Sequence, residues 1–166
     1  MNSGQSNFDN CLEAVAQCDM FLGILTTSYG SGVDAEGLSI THREIKAAMQ
    51  RDIPRWFLAH RDLEMIYALV RNLGHRVPED VLRLNETMQE VKARGRRPLV
   101  ENFRVLEMYA EVIQAKRVLP DRRGNWAQPF YTDHDGLTFV KAQFLRYAEA
   151  LEELQNFKGM TTKGGN

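Results

Sequence analysis

Hydrophobic positions change period several times along the chain, and each change marks an element. Phe8, Leu12 and Val15, with Cys11 and Ala14 beside them, recur at helical spacing and predict a first amphipathic helix. Met20 to Leu25, MFLGIL, is an unbroken apolar run of strand length, the pattern of a strand covered on both faces. Tyr29 to Gly37 reads as loop, being rich in glycine (Gly30, Gly32, Gly37) and poor in apolar residues. Thr41 with Glu44 reads as a capping box that opens a second helix, with Ile45, Ala48 and Met49 as its buried stripe. Pro54 disfavours helix in the residue before it, so that helix ends near Asp52. Arg55 to His60, RWFLAH, predicts a second short strand. Leu63, Ile66, Tyr67, Val70 and Leu73 then mark a third helix, closed by Gly74.

The order helix, strand, helix, strand, helix is that of an α/β fold, a short parallel sheet with helices as crossovers. The second half is mainly helical. Pro78 to Ala93 and Val100 to Lys116 read as helices, and Leu119 to His134 as a loop carrying Trp126, Pro129, Phe130 and Tyr131. Leu137, Val140, Phe144, Tyr147, Ala148, Leu151 and Leu154 form the stripe of a long final helix. One domain is expected over residues 1–157, with an α/β part at 6–74 and a helical part at 75–157. The polar, Gly-rich residues 158–166 read as a disordered tail. Two parallel strands do not make a stable sheet alone. The third is sought in RRPLVENF, around Leu99, or else from another chain or from sequence upstream of residue 1.

Composition narrows the function classes. The 166 residues suit one domain, and 43% hydrophobic with 26% charged is a globular balance. A net charge of −1 gives no global field towards nucleic acid or anionic lipid. No apolar stretch approaches the ~20 residues that span a bilayer, and MNSGQSNFDN lacks the regions of a signal peptide, so a cytoplasmic protein with no membrane partner is expected. Cys11 and Cys18 lie seven apart with no His nearby; they read as small buried side chains, and no metal or cofactor is expected. The basic run Lys92 to Arg97, with Arg122 and Arg123, lacks interleaved aromatics and is diluted by Glu86, Glu90 and Glu101. That argues against nucleic acid and for a solvated face.

In parallel α/β sheets, ligands bind beyond the carboxyl ends of the strands. The Thr26 to Ser39 loop leaves such an end, and its hydroxyls and amides suit a ribose or phosphate, with a helix start just beyond. The loop contains neither a Walker A motif nor GxGxxG, so a loop without a ligand stands as the other reading. Glu44 has two readings as well: a carboxylate supporting cleavage of a ribose–base bond, or the far member of the Thr41 capping box. His42 reads as a surface bystander or a proton source. His60 reads as a cleft residue or, with Asp62, part of a helix start. Tyr29 either stacks on a base or pins the loop to the core.

The ordered string CLEAVAQCDMFLGILTTSYGS…LSITHREIKAAMQRDIPRWFLAH resembles a bacterial domain of unknown function in the TIR-like and nucleoside deoxyribosyltransferase-like group. The matching features are Asp19 entering an apolar strand, Tyr29 with Gly30, Ser39 with Thr41 and Glu44, and Ile53 with Pro54. The resemblance extends to LVENFRVL…NWAQPFYTDHDGLTFVKAQFLRYAEAL. It implies an incomplete three-layer TIR-like or flavodoxin-like fold lacking the family's opening Ser/Thr-rich strand. It also implies an interaction or sensor module of a signalling or defence system that pairs with itself or a protein partner through its sheet edge. The alternative it implies is an N-glycosidase or deoxyribosyltransferase for a nucleotide or NAD-like ligand. Glu44 would then be catalytic, with Thr27, Ser28, Tyr29, Gly30, Ser39 and Thr41 holding the ligand.

Overall fold

The computed structural model describes residues 7–96, 98–122 and 124–163, without side chains at 7, 119, 150 and 153–163. The chain runs α1 (Asn7–Gln17), β1 (Phe21–Leu25), α2 (Ile40–Met49), β2 (Arg55–His60), α3 (Arg61–Asn72), α4 (Val81–Ala93), α5 (Arg104–Val112), a single 3-10 turn (Leu119–Asp121), β3 (Asn125–Phe130) and α6 (Asp133–Lys163). It divides into a unit of residues 1–129 and a second of residues 130–166.

β1 and β2 are parallel, in register from Phe21 opposite Arg55 to Leu25 opposite Ala59, and α2 makes the crossover. The α/β reading therefore holds. The third strand is β3, and the sheet order is β1-β2-β3. Two expectations are corrected here. Leu119 to His134 is not one loop, and no strand forms at 98–103, where RRPLVENF was expected to supply one. β3, NWAQPF, escapes a strand pattern because it holds Asn125, Gln128 and Pro129. Proline is tolerated in a sheet only at an edge or strand end, and β3 is an edge. Its polar first residue also has work to do: Asn125 accepts from Arg55 Nε at 2.9 Å and donates to the Val112 carbonyl at 3.0 Å, tying β2, β3 and α5 together.

Alternation along β1 and β2 sends Leu25, Phe57 and Ala59 into one core with Ile45 of α2, Leu63 and Ile66 of α3, and α5. α5 is buried at six of its nine positions, which makes it the central pillar of this layer. The other face of β1 is less covered. Ile24 is 53% exposed, so the expectation of a strand covered on both faces fails.

The helix ends follow local chemistry. α2 starts two residues earlier than its predicted box: Ser39 is the N-cap, accepting from His42 N at 3.2 Å, so Glu44 lies too far along to close a box with Thr41. The reciprocal box is at α6, where Thr132 and Asp135 each accept the other's backbone N–H, at 3.1 and 3.2 Å. α3 closes through Gly74 at φ +86°, with Gly74 N bonded to Arg71 O and His75 N to Val70 O. In the second unit the predicted stripe is only partly hidden: Leu137 is 52% exposed and Phe144 40%. Residues 158–163 of the expected disordered tail belong to α6, and residues 164–166 lie outside the described residues.

Candidate functional site

The loop after β1 is ordered by its own polar groups. Asp34 Oδ1 accepts from the amides of Glu36 and Leu38, both at 2.9 Å, while Gly37 N bonds Asp34 O at 2.9 Å. Val33 and Ser39 form an antiparallel bridge. Arg43 clamps the turn from α2, paired with Asp34 and, at 3.0 Å, with Glu36. Burial works against the Asp34 carboxylate, but the Leu38 amide, Arg43 and the Glu36 amide outweigh it and hold its carboxyl below the usual range. Thr26 Oγ1 accepts from Ser28 N and Ser28 Oγ from Gly30 N, so two of the loop's hydroxyls bind its own amides. Gly30 takes φ +93°, a conformation that side-chain-bearing residues rarely adopt.

Of the residues singled out from sequence, Ser39 and Tyr29 are buried, at 0% and 4% exposure. Gly30 lies close to Thr41, whose Oγ1 is 3.1 Å from where a Cβ on Gly30 would stand. Thr27 is half-buried and Ser28 exposed. Glu44 lies elsewhere, on the α1 side of the helix. Burial, then the neighbouring Glu44 carboxylate, push the Cys11 thiol up. Cys11 and Cys18 are partly buried free thiols. His60 caps α3, accepting from Asp62 N at 3.3 Å, as the helix-start reading has it.

His42 is the principal correction. It is no surface bystander but 1% exposed, at the centre of a polar chain. Tyr29 Oη lies 2.8 Å from His42 Nδ1, and His42 Nε2 lies 3.2 Å from Glu111 Oε2. Lys46 Nζ holds the other Glu111 oxygen at 2.7 Å. An ionised carboxylate only accepts, so Nε2 carries a proton, and in the neutral imidazole Nδ1 accepts from the tyrosine. Burial alone would raise Glu111, but the hydrogen bonds from His42 and Lys46 outweigh it and hold its carboxyl below the usual range.

The chain ends at a cavity of about 530 Å³ within the first unit. Lys46, Arg55, Glu107, Glu111, Lys116, Arg117 and Asn125 supply most of its polar wall, and Met49, Val77, Pro78 and Ala110 its apolar one. Arg55 and Asn125 begin their strands, so this cavity lies at the amino ends of β2 and β3, opposite the end where the sequence directed attention. None of the ligand residues proposed from sequence lines it. Glu107, half-buried, is raised first by burial and then restrained by Arg104. Its ion pair with Arg104 Nε spans 3.7 Å, longer than a hydrogen bond. The signal that would have found this site is in RVLEMYAEV. There, two carboxylates four apart interrupt a helix that is otherwise nearly all buried.

Among the described residues no group of three metal-ligating side chains comes together, and no helix is long and apolar enough to cross a membrane. A family model described as Domain of unknown function (DUF4062) matches residues 1–117, which takes in every element from α1 to α5. No curated protein and no solved structure matches the chain.

Proposed function

Taking as premise that the chain belongs to the DUF4062 family of domains of unknown function, we propose that it is an interaction module whose contact face is the free edge of β1. The carrying observation is the chemistry of that edge. β1 pairs with β2 on one side only among the described strands, and its sequence, FLGIL, contains no charge and no proline. Natural edge strands are normally guarded by Lys, Pro or a bulge, because an unpaired row of N–H and C=O groups templates another strand. An unguarded edge with Ile24 exposed beside it is suited to receive a strand, from a second copy or a protein partner.

The TIR-like sensor role in bacterial signalling or defence is the finer form of this reading, and the likeness of sequence pattern supports it. The glycosidase alternative has less geometric support, since Glu44 stands towards Cys11 and the loop hydroxyls Thr26 and Ser28 bind their own loop. Light scattering on the whole chain across rising concentration tests the module. Association is expected, and Ile24→Lys should abolish it while leaving the melting temperature within a few degrees, because that side chain faces solvent. A chain that stays monomeric with wild-type β1 and recruits no partner strand overturns the reading. Turnover of NAD or a deoxynucleoside that Glu44→Gln removes, with folding intact, would establish the glycosidase instead.

A further inference from the structure

A second cavity, of about 360 Å³, adjoins the first, and the two share Val77, Ala115 and Lys116 as a common wall. Their characters differ. The second is basic: Arg71, His75, Arg76 and Lys116 face one carboxylate, Glu79. Lys116 and Glu79 are only loosely paired, at 3.9 Å, with the lysine side chain 76% exposed, so its ammonium remains accessible. Arg71 is held over the Tyr67 ring, 5.8 Å from its centroid, which steadies the guanidinium without occupying its N–H groups. His75 Nδ1 lies 3.0 Å from Arg83 Nη2, and a guanidinium only donates, so Nδ1 accepts and the neutral imidazole carries its proton on Nε2 as a further donor.

The first cavity adds an apolar wall of Met49, Val77, Pro78 and Ala110 and carboxylates among its cations, of which half-buried Glu107 has its Arg104 partner beyond hydrogen-bond reach, at 3.7 Å. A half-buried carboxylate of this kind can accept from a ligand hydroxyl or N–H. A volume of some hundreds of cubic ångströms is that of ordinary small-molecule sites.

From this juxtaposition we infer that the paired cavities bind a phosphorylated, hydroxyl-bearing small molecule of mononucleotide size. Its phosphate rests on Arg71, Arg76 and Lys116, and its ring and hydroxyls lie against Met49 and Glu107. Sugar phosphates and nucleoside phosphates share this chemistry. The site is at the opposite end of the strands from the loop chosen by sequence, and it stands independently of the β1 edge.

Calorimetric titration of the whole chain with adenosine 5′-monophosphate, ribose 5-phosphate, adenosine and inorganic phosphate tests it. At least one of the two phosphorylated organic probes is expected to bind more tightly than inorganic phosphate or adenosine. Equal binding of both assigns a sugar phosphate, and tighter binding of the nucleotide assigns a nucleoside phosphate. Arg76→Ala and Lys116→Ala, both at exposed positions, should each weaken it about tenfold. Glu107→Gln should weaken the organic probes by a similar factor and leave inorganic phosphate unchanged. Circular dichroism melting on each variant shows that folding is intact. No binding of either organic phosphate at about 1 mM, binding no tighter than inorganic phosphate, or affinities unmoved by all three substitutions overturns the inference.

Discussion

Tyr29 shows how one hydroxyl fixes a loop. Its ring is buried, it meets the His42 ring edge-on at 5.7 Å, and its Oη supplies the partner of Nδ1. Burial pushes its phenol up, so it stays a neutral donor across the working range of pH. Tyr29→Phe keeps the ring and strands the imidazole nitrogen. Unfolding in urea should show a loss of about 1–3 kcal/mol, whereas a tyrosine merely lining a ligand pocket would change little. Gln114 offers the opposite case. It ends α5 at φ +52°, with Gln114 N bonded to Glu111 O and Ala115 N to Ala110 O, the closing pair that glycine makes at α3. A side chain in that region costs about 1–2 kcal/mol, part of which glycine's greater freedom when unfolded returns. Gln114→Gly should therefore raise stability by about 0.5–1 kcal/mol, measured by the same unfolding. Neither role is written in the sequence, since a Tyr-Gly pair and a Gln after a helix are compatible with many environments.

Between elements, α2 and α5 are joined by opposite charges as well as by packing, and this joint has a pH signature. Glu111 is held below its ordinary value, so the stability it contributes is present above the unfolded pKa, about 4.3, and is lost as pH falls through the lower folded value. Glu107 is raised, so its sign is reversed: ionising it costs stability above the unfolded value, and acid relieves that cost. Unfolding curves from pH 7 to pH 3 should show Glu111→Gln flattening the acid loss and Glu107→Gln becoming more stable than wild type at neutral pH. A parallel pH dependence in both variants would contradict the assignment. The element scale was also where the sequence was most readable. β1 and β2 announce themselves because burying a strand demands an apolar run. β3 did not, because its place at an edge tolerates Pro129 and its tie to Arg55 requires Asn125.

Across the whole molecule, the α/β order was legible and the site was not, for one physical reason. Periodicity along a chain reports which face of an element is buried, but it is silent on which polar groups from separate elements meet. Lys46, Glu107, Glu111 and Lys116 come from α2, α5 and the segment after it, and only folding makes them neighbours. Hydroxyls clustered in one loop drew attention because they are adjacent in sequence, and adjacency also lets Thr26, Ser28 and Asp34 bond within their own loop. The near-neutral charge of −1 bears on association at this scale: no strong long-range repulsion would oppose the pairing proposed for the β1 edge.

Gly23, midway along β1, has no side chain on the core side, and a Cβ there would lie 2.7 Å from Phe57 Cδ1. The phenyl ring of the adjoining strand leans into that gap and tilts against Phe21, centroid to centroid 5.9 Å. The outer strand is thus gripped by its neighbour at Gly23 as well as rooted in the core through Leu25. Enlarging residue 23 would prise the two strands apart from within, and so disturb the rim where a visiting strand would settle without altering any atom that the visitor touches.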